Sequence, residues 1–269
     1  MARWMPRRSG RPCPRRVHGG RRAVLRAAGQ LPARAGGLPK RRAARLRPLG
    51  DAAPDALGRA GYDRDYAGEI EQAGGRAIWN ALDVASAEDN HRIVEAAVEA
   101  FGRIDAIFLN AGLMPSSPVS ALKTDEWDQM VDVNIKGVLN GVAAVMPKFL
   151  EQKSGHILAT SSVAGLKAYP GASVYGGTKW FVRNFMEVLR MESASEGTNI
   201  RTATIYPAAI NTELLSTITD EKAAEGMKGL YDAYGIAPER IADVIAFALD
   251  MPEDTTVNEF TVGPARQPW

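Results

Sequence analysis

Tyr175 and Lys179 stand four residues apart in the segment Tyr175-Gly-Gly-Thr-Lys179. On a helix that spacing puts both side chains on one face. An ammonium beside a phenol favours the phenolate, so Lys179 is expected to draw the Tyr175 pKa down from an ordinary value near ~10. A tyrosine tuned in this way can pass a proton to or from a substrate oxygen. Taken alone the pair is weak, because a half-buried tyrosine and a solvated lysine share this spacing by chance in many helices. Two other residues strengthen it. Ser162 lies thirteen residues before Tyr175, at the end of an apolar run, where its hydroxyl can hydrogen-bond a carbonyl or hydroxyl held near the phenol. Asn134 interrupts a long helical pattern with an amide, which is a mediocre helix former and reads either as a functional amide or as one at a surface or kink.

These residues need elements to position them. Ala77 to Leu82 reads as a short strand ending at Asp83. Ser86-Ala87-Glu88-Asp89 resembles a capping box that opens a helix running to about Phe101, with Gly102 as its stop. Ile104 to Leu109 is a strand, followed by Asn110-Ala111-Gly112. Thr124 is placed to cap a long helix that carries Met130, Val133, Ile135 and Val138 towards Met146. His156 to Thr160 is a strand, Ser173 to about Ser195 a long helix, and Ile200 to Tyr206 a strand. The chain is then expected to be irregular from Pro207. Pro238 to Leu249 reads as a helix and Val257 to Val262 as a last strand. This alternation predicts an α/β fold, a Rossmann-like doubly wound parallel sheet with helices on both faces. Ligands of such sheets bind beyond the carboxyl ends of the strands. Asp83, Asn110, Ser161-Ser162 and Pro207 all fall there.

The ordered set Asn110-Ala111-Gly112, Asn134, Ser161-Ser162-Val163-Ala164-Gly165, Tyr175-x-x-x-Lys179 and Pro207-x-x-x-x-Thr212 resembles the short-chain dehydrogenase/reductase family. The resemblance covers roughly residues 69–269, and within the family it is most similar to bacterial oxidoreductases acting on 3-hydroxy acids, serine and small alcohols. It implies NADP or NAD as cofactor, with a lean to NADP, and an alcohol/carbonyl interconversion by hydride transfer. Tyr175 is implied as general acid/base, Lys179 as partner of the nicotinamide ribose, Ser162 as the group that orients the substrate oxygen, and Asn134 as holder of a water in a proton relay. Asp83, Asn110, Ala111, Gly112, Pro207, Ile210 and Thr212 are implied around the cofactor, together with Tyr175 and Lys179. Met114 and Tyr169, with Leu166 and Leu214, are implied around the substrate. Pro207-Ala208 stands where the family has Pro-Gly. The resemblance also implies a homodimer or homotetramer built on the two long helices, and a small-molecule partner rather than a membrane or nucleic acid.

Residues 1–65 do not fit this pattern. Residues 1–50 hold 14 Arg and Lys40 and no Asp or Glu, so of a whole-chain formal charge of +2 they carry +15 and the remainder −13. The segment is rich in Pro, Ala and Gly and has no periodic apolar face. Where the family has a T-G-x-x-x-G-x-G turn, near 33–42, the chain reads Ala-Arg-Ala-Gly-Gly-Leu-Pro-Lys-Arg-Arg. The first β-α-β unit is therefore missing or aberrant. A frame-shifted or misassigned reading of the same gene comes first among the explanations, because GC-rich codons yield this composition out of frame. A real basic segment that replaces the cofactor half-site, leaving an inactive remnant or a nucleic-acid-binding arm, comes second. A targeting peptide comes third, opposed by the scarcity of serine. We divide the chain into 1–65 and an oxidoreductase domain, 66–269. A lone cysteine, Cys13, excludes intrachain disulfides and thiolate clusters and fits a reducing compartment, the cytoplasm. His18, His91 and His156 share no metal-binding spacing and read as surface or loop residues.

Overall fold

A computed structural model of the chain describes residues 67–268. Residues 1–65, with the expected turn site at 33–42, lie outside the described residues.

Ser86 caps the first helix, α1 (Ala87–Phe101), by accepting from the Asp89 amide, and Gly102 ends it in the left-handed region at φ 82°. Strand β1 (Ala106–Leu109) follows. The next helix is a single rod in three parts. Helix α2 (Thr124–Met130) runs into a π-helical stretch, Val131–Lys136, and then into α3 (Gly137–Gln152). Thr124 is the first helical residue rather than the cap, a place taken by Lys123 without a side-chain bond. Strand β2 (Gly155–Thr160), helix α4 (Ser173–Glu196) and strand β3 (Ile200–Pro207) come next, at the positions expected.

The segment after Pro207 is less irregular than its sequence suggested. A short 3-10 turn over Glu213–Thr217 leads to helix α5 (Glu221–Tyr234), capped by Asp220 accepting from the Ala223 amide. Gly226 and Gly229 dilute the helical pattern there, yet one apolar face packs and overrides the poor propensity. Helix α6 (Glu239–Leu249) and strand β4 (Glu259–Val262) close the fold.

The four strands lie parallel in the order β1-β2-β3-β4. One face of the sheet, with Ile107, Ile157 and Ala159, packs on α3 and α4 through Val142, Val145, Phe149, Val182 and Met186. The opposite face, with Leu158 and Ala203, packs on α6 through Ala248 and Ile245. Helices therefore cover both faces, as a parallel sheet requires. The strand expected at 77–82 makes no ladder: among the described residues none pairs with it. His156 also departs from expectation. It is no surface residue but lies in β2 at 1% exposure, beside Arg201 on the next strand. Burial, reinforced by the Arg201 charge, pushes its pKa down to about 4.

Among the described residues, no helix is long and apolar enough to cross a membrane, and no group of His, Cys, Asp and Glu could hold a metal ion.

Candidate active site

The carboxyl ends of β1, β2 and β3 deliver Asn110, Ser161-Ser162 and Pro207 to one rim of the sheet. Helix α4 starts close to that rim and carries Tyr175 and Lys179, both buried, in its first turns. Gly165 lets the chain leave β2 tightly against this helix. A Cβ there would lie 2.4 Å from Ser161 Oγ and 2.8 Å from the Lys179 carbonyl oxygen. Ser161 in turn donates to that carbonyl at 2.8 Å. Serine 161 thus ties strand to helix, which leaves Ser162 to face the phenol.

Four of the sequence-derived residues meet here. The Ser162 hydroxyl stands close enough to the Tyr175 phenol to lower its pKa, and it accepts from the Ala164 amide at 3.1 Å. Lys179 donates to the Thr160 carbonyl at 2.9 Å, and its Nζ sits 5.8 Å from the centre of the Tyr175 ring. Asn134 points inward from the π-helical stretch at 1% exposure. A π turn offsets side chains from the regular helical register, and such turns recur at functional sites. The Asn134 amide accepts from Leu113 N at 3.0 Å and donates to Leu113 O at 2.9 Å and to Thr178 Oγ1 at 3.0 Å. Its side chain therefore clamps the strand-end loop onto α4.

Electrostatics depart from the expectation drawn from spacing. Burial pushes the Tyr175 phenol up to about 12, and the Ser162 hydroxyl draws it part of the way back. The nearby Tyr231 phenol pushes it further up. Lys179 is not among the groups that shift the phenol, so the depression expected from the spacing is not found. Desolvation also brings the Lys179 ammonium down to about 8.

The residues implied around a dinucleotide fall in two groups. Asn110 accepts from Thr160 Oγ1 at 2.8 Å, and Ala111-Gly112 leads from it to the Leu113 clamp. A Cβ at Gly112 would come within 3.4 Å of both Lys179 Nζ and Asn134 Oδ1. Glycine keeps the approach to the lysine open, which fits the nicotinamide-ribose end of such a cofactor. The other group serves local structure in the bonds it makes. Asp83 closes its own turn by accepting from Ala85 N at 3.0 Å. Ile210 is buried and bridges Ile236. Thr212 caps the turn at 213–217 by accepting from Leu214 N at 3.4 Å. Met114, Tyr169 and Leu214 pack in one apolar cluster with Tyr175, and Leu166 stays outside it.

Sequence reading missed two residues. Thr178 donates to the Tyr175 carbonyl at 2.7 Å while accepting from Asn134; a threonine between Tyr175 and Lys179, able to back-bond its own helix, was the available signal. Tyr231 lay in a stretch read as irregular and gave none.

The short chain dehydrogenase family model matches residues 59–223. An uncharacterized oxidoreductase of Listeria innocua is 68% identical over 200 residues, which cover 74% of this chain and 81% of that protein. Among solved structures, the closed form of a serine dehydrogenase complexed with NADP+ is 27% identical with a TM-score of 0.67, over 77% of this chain and 84% of that one. A short-chain dehydrogenase/reductase of Burkholderia phymatum in complex with NAD shares the fold at 22% identity and a TM-score of 0.69, over 75% of this chain and 76% of that one. The chain belongs to the short-chain dehydrogenase/reductase family, and it is an NAD(P)-dependent oxidoreductase of that family.

Proposed function

We propose that residues 66–269 interconvert an alcohol and a carbonyl on a small molecule, with Tyr175 as general acid/base. The observation that carries this is the buried group of Ser162, Tyr175 and Lys179, with Lys179 Nζ 5.8 Å from the centre of the Tyr175 ring. When bound, the nicotinamide supplies the hydride for the substrate carbon in reduction and accepts it in oxidation. The protein's own work is positioning and proton transfer. Burial keeps the phenol protonated across neutral pH, so its O–H is available to a carbonyl oxygen that gains negative charge. In the reductive direction the ketone takes one hydride at carbon and one proton from Tyr175, and solvent returns that proton. Ser162 aligns the oxygen, while Lys179 and Asn110 line the approach to the ribose. Tyr175→Phe tests the assignment: turnover should fall about a thousandfold, and unchanged turnover would sink it.

NADP as the preferred cofactor is supported by the NADP+ complex of the similar serine dehydrogenase. Steady-state comparison of NADPH with NADH decides it. Exposed Leu139 and Leu150 on α3, with Trp180, Val188 and Met191 on α4, support a homodimer or homotetramer formed through these helices, which sedimentation would read. A second reading, an oxidoreductase scaffold that binds cofactor poorly, is favoured by the basic segment at the expected turn site. Saturable micromolar enhancement of NADPH fluorescence by the full chain would exclude it. The coding DNA across residues 1–70, read in three frames, tests the frame-shift origin.

A further inference from the structure

Helix α5 turns Ala223, Ala224 and Met227 toward the cluster that contains Tyr175 and Tyr169. Tyr231 continues that stripe one turn on and is buried. The helix's lysines stand elsewhere: Lys222 and Lys228 are exposed, and Lys228 is paired with Asp232 at 2.5 Å. No arginine occurs between residues 202 and 239. In the same cluster the Tyr169 hydroxyl is buried and has no hydrogen-bond partner. The cation of its loop, Lys167, is exposed with its ammonium 5.7 Å from the Tyr169 ring centre. Among the described residues, Lys179 is the one buried cation, and its ammonium is bonded to Thr160.

A carboxylate taken into this space would shed its hydration without gaining a buried counter-ion from the described residues other than Lys179, which is already bonded, and that is unfavourable. A neutral polar group would instead find two phenols, one of them with an unmet hydrogen bond. We propose that Tyr231 and Tyr169 contact the substrate, and that the site takes an uncharged ketone or alcohol bearing a second hydrogen-bonding group in preference to a hydroxy or keto acid. This rests on the oxidoreductase reading above and narrows the substrate class away from the acids that the family branch implies.

Three phenyl ketones that differ in one substituent test it on the full chain with NADPH: α-hydroxyacetophenone, acetophenone and benzoylformate. The specificity constant should fall in that order. Tyr231→Phe and Tyr169→Phe, which keep the packed ring, should each raise KM for α-hydroxyacetophenone about tenfold, the worth of one hydrogen bond. kcat should change little, so the preference over acetophenone collapses. Benzoylformate as the best substrate, or equal losses on all three ketones, would overturn the proposal. Should no ketone be reduced with NADPH or NADH, the oxidoreductase reading fails by itself. Ligand-observed NMR on the same chain then decides the inference. Weaker α-hydroxyacetophenone binding in Tyr231→Phe supports it, and equal binding, or none in either protein, refutes it.

Discussion

The floor of the site and the flap above it are built by different physics. On the floor, Asn134, Thr178, Ser161 and Lys179 are buried, and each spends its polar atoms on main chain or on one another. The flap, residues 208–236, packs mainly through apolar side chains: Leu214, Leu215, Ile218, Ala223, Ala224 and Met227. It is also held by hydrogen bonds from Met114 N and Lys123 Nζ to Thr217 and Thr219. Directional bonds fix atoms within a few tenths of an ångström, whereas apolar packing tolerates exchange of shape. Under the proposed function, the floor would hold a fixed proton transfer and the flap would choose which molecule undergoes it.

The largest effect that this contrast predicts is on the floor. Tyr175→Phe removes the transferable proton and leaves the ring packed. It should lower kcat about a thousandfold, or about 4 kcal/mol in barrier, with the melting temperature nearly unchanged. A variant that lost stability in proportion would show that the phenol's role is structural.

Asn134→Leu should act on stability first. It orphans the Leu113 amide and carbonyl together with one bond of Thr178, so a loss of about 3 kcal/mol in denaturant unfolding is expected. The same three bonds show why this part was legible in sequence only in outline. An amide inside a helical pattern advertised a special position, but not that its partner would be the main chain of a loop 21 residues away. Ser86 and Gly102 were readable because their partners are local. The helix at 221–234 was missed although Asp220 and an apolar stripe mark it, because Gly226 and Gly229 dilute the pattern, and with it went Tyr231. The strand expected at 77–82 pairs with none of the described residues. The Ser162, Tyr175 and Lys179 group was therefore visible as residue types at fixed spacings, whereas around Tyr175 the sequence offered Met114, Tyr169 and Leu214 of the apolar cluster but not the buried Tyr231.

At the opposite end of β2 from Ser161, His156 gives the strand a pH dependence. Its folded pKa of about 4 lies below the ordinary 6.5, so between those values the unfolded chain binds more protons than the folded one. Stability should fall as pH drops from 6.5 to 4, by up to about 3 kcal/mol, and be flat in this term above 6.5. His156→Leu should flatten that slope in thermal melts followed from pH 7 to pH 4. An unaltered slope would assign the acid sensitivity to other groups.

The smallest effect tests the flap's attachment. Thr217 accepts from the Met114 amide at 2.9 Å and donates to the Leu214 carbonyl at 2.7 Å. Thr217→Val keeps the shape and deletes both bonds, at a cost of about 1 kcal/mol. If the flap is a separate low-stability unit, that loss should appear as faster hydrogen exchange at Met114 and along α5 while the β2 and α4 amides keep their protection. Exchange that accelerates equally in α4 would mean that floor and flap open as one body, and the division of labour between them would have to be given up.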